Sequence, residues 1–156
     1  MEKIKRLFLY LIISKYLDMF KFLSYNASKL KKGATMEFIK EIYPENMKNV
    51  KVNIEKFLEL YNNGKCVLVD VREPYEVAVW QLNFGLKIPA RELPENLDKL
   101  PKDKIIITAC PGKERSNCSA MYLRSKGFDA RYLEDGLLGL MGYLKSSKAK
   151  EIKIGE

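Results

Sequence analysis

The chain has 156 residues, 47% of them hydrophobic and 31% charged, which is enough for one ordinary domain with a core and an extension. It contains three cysteines (Cys66, Cys110 and Cys118) and no histidine. An odd number of cysteines at irregular spacing argues against a disulfide framework. The lack of histidine excludes Ser-His and Cys-His dyads and most zinc sites. Any cysteine nucleophile must therefore be activated by groups other than imidazole.

The formal charge of +8 is concentrated near the N-terminus. Residues 1–35 contain eight Lys and Arg against two Asp and Glu, whereas residues 36–156 contain 20 against 18. The larger part is nearly balanced, and it lacks the combination of basic and aromatic residues typical of nucleic-acid modules. We therefore expect no nucleic-acid partner.

Residues 1–35 are predicted to form a basic, amphipathic helical extension. Their longest apolar run, Leu7 to Ile13, has seven residues, whereas a spanning helix needs roughly 20. Such a helix suits a membrane surface, an export role, a dimer contact or its own domain, and the sequence does not choose among these. We expect a cytoplasmic protein, with membrane association or export through this segment as the alternative.

A connecting segment, residues 36–49, follows the extension and is predicted to contain a short helix broken near Pro44. Asn53 is placed to cap the next helix, which Asn63–Gly64 ends. The apolar face of that helix is made by four residues, Ile54, Phe57, Leu58 and Tyr61.

Short strands and helices then alternate along the chain. The predicted strands are Cys66–Asp70, Leu86–Ile88, Ile105–Ala109 and Arg131–Leu133. The predicted helices are Glu73–Val79, Pro94–Leu100, 115–126 and Gly136–Leu144. This alternation predicts an α/β domain over residues 50–145 with a parallel sheet and helices on both faces, followed by a C-terminal tail at 146–156.

One cysteine lies where a buried strand meets a helix. In the stretch IIITACPGKERS, Cys110 follows the strand, and a loop leads into the next helix. Active sites of open parallel sheets lie beyond the carboxyl ends of strands, and loop N–H groups at a helix start stabilise anions. Lys113 and Arg115 add positive charge, and Glu114 is expected to point outward, so the thiolate of Cys110 should be favoured. The alternative to a functional thiol is that Cys110 serves only as a small apolar residue at the end of the strand.

Five motifs occur in order over roughly residues 50–145: LVDVRE, KIPA, LPKDKIII, C-x4-R-S and GFDARYLEDG. Together they resemble a rhodanese homology domain of the single-domain sulfurtransferase type. The resemblance implies a three-layer α/β/α fold with a central parallel sheet. It also implies a ping-pong transfer of sulfane sulfur through a persulfide on Cys110. The implied donor is a small thiosulfate-like anion, the acceptor is a thiol, cyanide or a protein, and no cofactor or metal is expected.

The same resemblance assigns roles to individual residues, with Cys110 as the catalytic nucleophile. The substrate-binding residues would be Pro111, Gly112, Lys113, Glu114, Arg115 and Ser116. From their polar side chains alone we expect Asp70, Arg72 and Glu73 to be supporting residues, which fix the neighbouring loop through hydrogen bonds and ion pairs. Arg115 either attracts the anionic donor or turns back to pair with a carboxylate.

The length of the cysteine loop distinguishes this motif from the similar motif of tyrosine phosphatases. Tyrosine phosphatases and related arsenate reductases use C-x5-R, whose extra residue accommodates a tetrahedral anion, whereas C-x4-R suits a single sulfur atom. The chain departs from the usual rhodanese pattern at Trp80–Gln81, at Asp135 and at Leu140, and Pro111 and Glu114 are unusual loop residues.

Two further hypotheses remain. In the first, the domain is a non-catalytic module that binds or presents a partner. In the second, it is a redox sensor that uses Cys110 and Cys118. We expect Cys118 to pack between helix and sheet and Cys66 to lie in the core.

Overall fold

The structure is a computed structural model that describes residues 49–154. The predicted extension at 1–35 and the short helix near Pro44 lie outside these residues. The strands are β1 (Lys51–Val52), β2 (Cys66–Asp70), β3 (Leu86–Lys87), β4 (Ile105–Ala109) and β5 (Ala130–Leu133). The α-helices are α1 (Ile54–Asn62), α2 (Pro74–Val79), α3 (Glu114–Ser125) and α4 (Gly136–Leu144). Three 3₁₀ helices cover Ala90–Glu95, Leu97–Lys99 and Ser147–Glu151.

All five strands join one parallel sheet in the order β1-β5-β4-β2-β3. The long central strands β2 and β4 pair from Cys66 opposite Ile105 to Asp70 opposite Ala109. Because parallel strands end at a common edge, this register brings the segments after Asp70 and after Ala109 together. The Val71 N–H donates to the Ala109 carbonyl at 2.9 Å and continues the pairing past the strand ends.

The core lies on both faces of the sheet. Successive residues of β4 point to opposite sides, so Ile107 packs with α1 and α4, whereas Ile106 packs with α3 and the 3₁₀ turns. Leu68 and Val69 of β2 divide in the same way. Apolar runs buried on both faces are typical of parallel sheets. The predicted three-layer α/β/α fold with a central parallel sheet is confirmed.

Local signals explain most of the helix boundaries. Asn53 caps α1, because its side-chain oxygen accepts the N–H of Lys56 at 3.0 Å. Gly64 follows that helix with a φ of 66°, and Gly127 follows α3 with a φ of 86°. These conformations favour glycine, so both glycines mark helix ends as predicted.

The predicted helix at Pro94–Leu100 is wrong. The segment forms two 3₁₀ turns, Ala90–Glu95 and Leu97–Lys99, separated by Asn96. It is too short to bury a helical face of several turns, and 3₁₀ geometry is usual for such connectors. Strand β1 was not predicted, since two residues give no periodic signal.

No helix among residues 49–154 is long and apolar enough to cross a membrane.

Candidate active site

Cys110 occupies the position immediately after β4, and the loop 111–113 connects it to α3. Its side chain is buried, with 3% of the residue exposed. The sulfur lies 3.6 Å from Ser116 Oγ, toward which the thiol donates. Ser116 Oγ donates in turn to the Lys113 carbonyl at 3.0 Å. The thiol, the first turn of α3 and the loop are thus joined by one hydrogen-bonded chain.

The start of α4 holds the loop from the other side. Leu137 N–H donates to the Cys110 carbonyl at 2.8 Å, and Leu138 N–H donates to the Pro111 carbonyl at 3.4 Å. Gly136 has a φ of 64°, and a Cβ there would lie 2.2 Å from the Gly112 carbonyl oxygen. Only a residue without a side chain permits this approach, so Gly136 positions the loop.

Arg115 is paired with a carboxylate. Its Nη1 and Nη2 atoms donate to Glu76 Oε2 at 2.6 Å and Oε1 at 3.2 Å. This two-point contact raises the pKa of the guanidinium further, and the negative charge on an ionised Cys110 adds to that effect. Of the two predicted roles for Arg115, the geometry shows the pairing with a carboxylate.

Arg72 links β2 to α2. It is 1% exposed, and its Nη2 lies 2.7 Å from Asp70 Oδ2. The same Nη2 donates to the Trp80 carbonyl at 3.0 Å, and the guanidinium stacks 4.0 Å above the Trp80 ring. A buried guanidinium needs this set of acceptors, because an unpaired buried charge is strongly destabilising.

Glu73 caps α2 through a reciprocal arrangement. The backbone N–H of Glu73 donates to Glu76 Oε2 at 3.0 Å, and the Glu73 side chain accepts from the helix backbone in return. Arg91 Nη2 lies 3.2 Å from Glu73 Oε2. The three predicted supporting residues Asp70, Arg72 and Glu73 therefore lie at the carboxyl end of β2, where they fix α2.

Glu114 has an exposed side chain, in agreement with the outward orientation expected for it. Its Oε2 accepts the N–H of Lys113 at 3.3 Å. Hydrogen bonds from the backbone of Glu114 itself and of Lys113 hold the pKa of this carboxyl below its ordinary value. Pro111 has no N–H, so donors in the loop begin at Gly112.

The other two thiols differ sharply in exposure. Cys66 is 4% exposed in the core, and burial raises its pKa to about 12. Cys118 is exposed, so the prediction that it packs against the sheet is wrong. Helix α3 turns Ser119, Ala120 and Leu123 toward the sheet, which places Cys118 on the outer side.

Two residues of this site were not singled out from the sequence. Glu76 pairs with Arg115 across 39 residues of chain, and Gly136 touches the loop from the start of α4. Glu76 belongs to a capping box whose N-cap is Glu73, but the sequence signature of such a box has Ser, Thr, Asp or Asn at that position, so it did not point to Glu76. No local sequence pattern predicts the contact between Gly136 and the loop after Cys110.

A profile of the Rhodanese-like domain family matches residues 53–141. The chain belongs to the rhodanese-like family. The matched region contains β2, β4, the loop after Cys110 and most of α4. The fold described above is therefore that of a rhodanese-like domain.

Two curated relatives resemble this rhodanese-like chain over different extents. A putative sulfurtransferase, YtwF of Bacillus subtilis, is 34% identical over 96 residues, covering 62% of this chain and 87% of the relative. A tRNA uridine(34) hydroxylase of Pelagibacter ubique is 32% identical over 153 residues, covering 89% of this chain and 50% of the relative. The chain thus spans about half of the hydroxylase.

A solved structure shows the same architecture. The rhodanese-related protein of Thermoplasma volcanium superimposes with a TM-score of 0.53 at 26% identity. The match covers 59% of this chain and 90% of that protein, as expected for one shared domain.

Proposed function

We propose that the chain is a sulfurtransferase that carries sulfane sulfur on Cys110 as a persulfide. The observation that carries this proposal is the position of Cys110 at the end of β4, in a short C-x4-R loop that leads into α3. The loop is one residue shorter than the C-x5-R loop of tyrosine phosphatases, and this length suits a single sulfur atom better than a tetrahedral phosphate. The YtwF relative, named a putative sulfurtransferase, supports the same chemistry.

The reaction proceeds in two displacements, here written for thiosulfate and cyanide. The Cys110 thiolate attacks the outer sulfur of thiosulfate, the S–S bond of the donor breaks, and sulfite leaves with the bonding pair. Cyanide then attacks the terminal sulfur of the persulfide, thiocyanate leaves, and the thiolate is restored. No net oxidant or reductant is consumed. In the cell a thiol or a protein acceptor would take the place of cyanide.

The surrounding groups have defined parts in this proposal. In this proposal the N–H groups of Gly112 and Arg115 stabilise the developing negative charge of the persulfide, since those of Lys113 and Glu114 donate to the Glu114 carboxylate. Ser116, whose hydroxyl lies 3.6 Å from the sulfur, turns its proton from the Lys113 carbonyl toward the thiolate when the thiol ionises. Lys113 attracts the donor. Arg115 holds α2 against α3 through Glu76 and acts on the sulfur through its charge.

Substitution of the nucleophile tests the proposal. Wild type, Cys110→Ser and Cys118→Ser are assayed for thiocyanate formation from thiosulfate and cyanide, and their intact masses are measured after exposure to thiosulfate. We expect turnover and an adduct of about 32 Da in wild type and Cys118→Ser, and neither in Cys110→Ser. If the wild type forms no sulfur adduct with thiosulfate or with an organic persulfide, the proposal fails and the binding-module hypothesis takes its place.

A second candidate is the modification of a tRNA uridine. The alignment with the hydroxylase covers 89% of the chain, so it extends well beyond the family match at 53–141. This candidate reverses the expectation of no nucleic-acid partner. Its test is nucleoside mass spectrometry of tRNA from cells that lack their own hydroxylase and express either wild type or Cys110→Ser. Hydroxylated uridine with wild type alone would support it, and its absence with both would exclude it.

A further inference from the structure

The positive charge next to Cys110 is partly neutralised in the folded chain. The sequence places two cations, Lys113 and Arg115, in or beside the loop. In the folded chain Arg115 is bound at two points by Glu76. The positive charge available to an incoming anion is therefore smaller than the sequence alone indicates.

One of the loop N–H groups is already bound by a carboxylate of the protein. Glu114 Oε2 accepts the Lys113 N–H at 3.3 Å. The same oxygen lies 3.3 Å from the position that a Cβ on Gly112 would occupy, so the carboxylate extends back along the loop. A carboxylate of the protein itself thus binds the Lys113 N–H, one of the loop donors that an anionic ligand could use.

We propose that Glu114 is a specificity-determining residue, which competes with anionic reagents for the loop N–H groups and favours sulfur donors whose reacting end is uncharged. A dianion such as thiosulfate must displace the carboxylate or share the site with a like charge. A donor with an uncharged reacting end meets no such repulsion. The donor preference rests on the proposed function, whereas the competition for the loop does not.

The ionisation of Glu114 supports this role. Its pKa lies below the ordinary value because backbone N–H groups bind the charged form. The carboxylate is therefore charged throughout the neutral range, in which a sulfurtransferase would be assayed.

Alkylation of Cys110 tests the competition without any sulfur transfer. Iodoacetate and iodoacetamide are nearly equal in size, and both form an S–C bond as iodide leaves, but only iodoacetate is an anion. The rates for both reagents are measured on Cys118→Ser protein, and peptide mass spectrometry follows the modification of Cys110 separately from that of Cys66, because both of these thiols are buried. The variants compared on that background are Glu114→Gln, which removes the charge at similar shape, and Glu95→Gln, which removes a charge from an exposed residue elsewhere.

We expect Glu114→Gln to raise the iodoacetate-to-iodoacetamide rate ratio roughly tenfold and Glu95→Gln to leave it within about twofold, since charge-assisted hydrogen bonds are the stronger class. An unchanged ratio in Glu114→Gln, or an equal change in Glu95→Gln, overturns the proposal. Failure of both reagents to modify Cys110 in every protein also overturns it, because the loop would then admit neither charge type.

Sulfur transfer supplies the second readout. With thiosulfate, we expect kcat/KM to rise roughly tenfold in Glu114→Gln, mainly through a lower KM, because repulsion acts on binding of the anion. If no variant transfers sulfur while the alkylation ratio changes as expected, the role of Glu114 stands and the proposed function fails. If transfer occurs but neither readout changes, only the role of Glu114 fails.

Discussion

Glu76 is bound by two groups that both favour its charged form. Arg115 donates to it at 2.6 Å, and the Glu73 N–H donates at 3.0 Å. The Arg115 hydrogen bond and then the backbone hydrogen bond lower the pKa of Glu76 below its ordinary 4.5. A group with a lowered folded pKa stabilises the native state above its unfolded pKa, and that contribution is lost as the pH falls through the folded pKa.

The substitution Glu76→Gln should therefore be destabilising near neutral pH and almost neutral in acid. Because both partners are partly exposed, we expect a loss of less than about 1 kcal/mol at about pH 7, which shrinks toward zero near pH 3. Urea unfolding at both pH values measures it. Glu59→Gln, which breaks the exposed pair with Lys56, serves as the control for loss of a surface charge. A loss that persists unchanged at pH 3 would contradict the assignment.

Residues of the site could be predicted from the sequence where their role depends on near neighbours. Cys110 and its loop follow one strand and precede one helix, so a local reading placed them correctly. The partner of Arg115 comes from 39 residues away, and Gly136, which meets the loop, comes from the start of α4. Such choices depend on tertiary contacts, which no single stretch of sequence specifies.

Among the glycines of the described residues, Gly136 at the start of α4 makes the closest backbone approach, and it makes it to the active-site loop. A side chain at Gly136 would meet the carbonyl oxygens of Gly112, Pro111 and Cys110 at 2.2, 2.5 and 3.0 Å. Backbone atoms cannot rotate aside as a side chain can, so an added methyl group must move either the loop or α4.

We expect Gly136→Ala to cost at least about 2 kcal/mol of stability and most of the sulfur transfer, because strain at positive φ adds to the clash. Gly142→Ala is the matched control, since it lies in the same helix with no atom within 4 Å of the added Cβ. That control should be neutral or stabilising by up to about 1 kcal/mol. Thermal unfolding and the thiosulfate assay measure both. Full activity in Gly136→Ala would show that the loop does not depend on α4.

Elements with a strong periodic or apolar signal were predicted well. Strands β2 and β4 and helix α4 have the bounds that their apolar runs indicate. The elements that were missed are short: β1 has two residues, and the connector after β3 forms 3₁₀ turns in place of an α-helix. Their conformation follows from the distance the chain must cover between longer elements, and propensity alone does not determine it.

Burial of a thiol in the core couples the stability of the domain to alkaline pH. Cys66 has a pKa raised from 9.0 to about 12, chiefly by burial. A raised folded pKa means that the native state keeps a proton that the unfolded chain releases. The resulting stability is complete below about pH 9 and is lost as the pH rises toward 12.

The stability difference between wild type and Cys66→Ala should therefore narrow on the alkaline side. At about pH 10.5 we expect it to be smaller than at about pH 8 by about 2 kcal/mol, following the ionisation of the unfolded thiol. Urea unfolding at the two pH values measures the change. Cys118→Ala, which removes an exposed thiol, should show no such narrowing. Equal differences at both pH values would mean that Cys66 titrates alike in the folded and unfolded chains.

The outer strands of the sheet are much shorter than the inner ones. β1 and β3 each have two residues. β1 begins with the exposed Lys51, and β3 ends with the exposed Lys87. Open strand edges are templates for aggregation, because their unpaired N–H and C=O groups can bind a strand of another molecule. In the described part of the chain, each edge strand offers only two residues for pairing with a strand of another molecule. Such pairing would also remove water from the charged side chain of Lys51 or Lys87, which costs free energy. This geometry should protect the domain against edge-to-edge polymerisation even at high protein concentration.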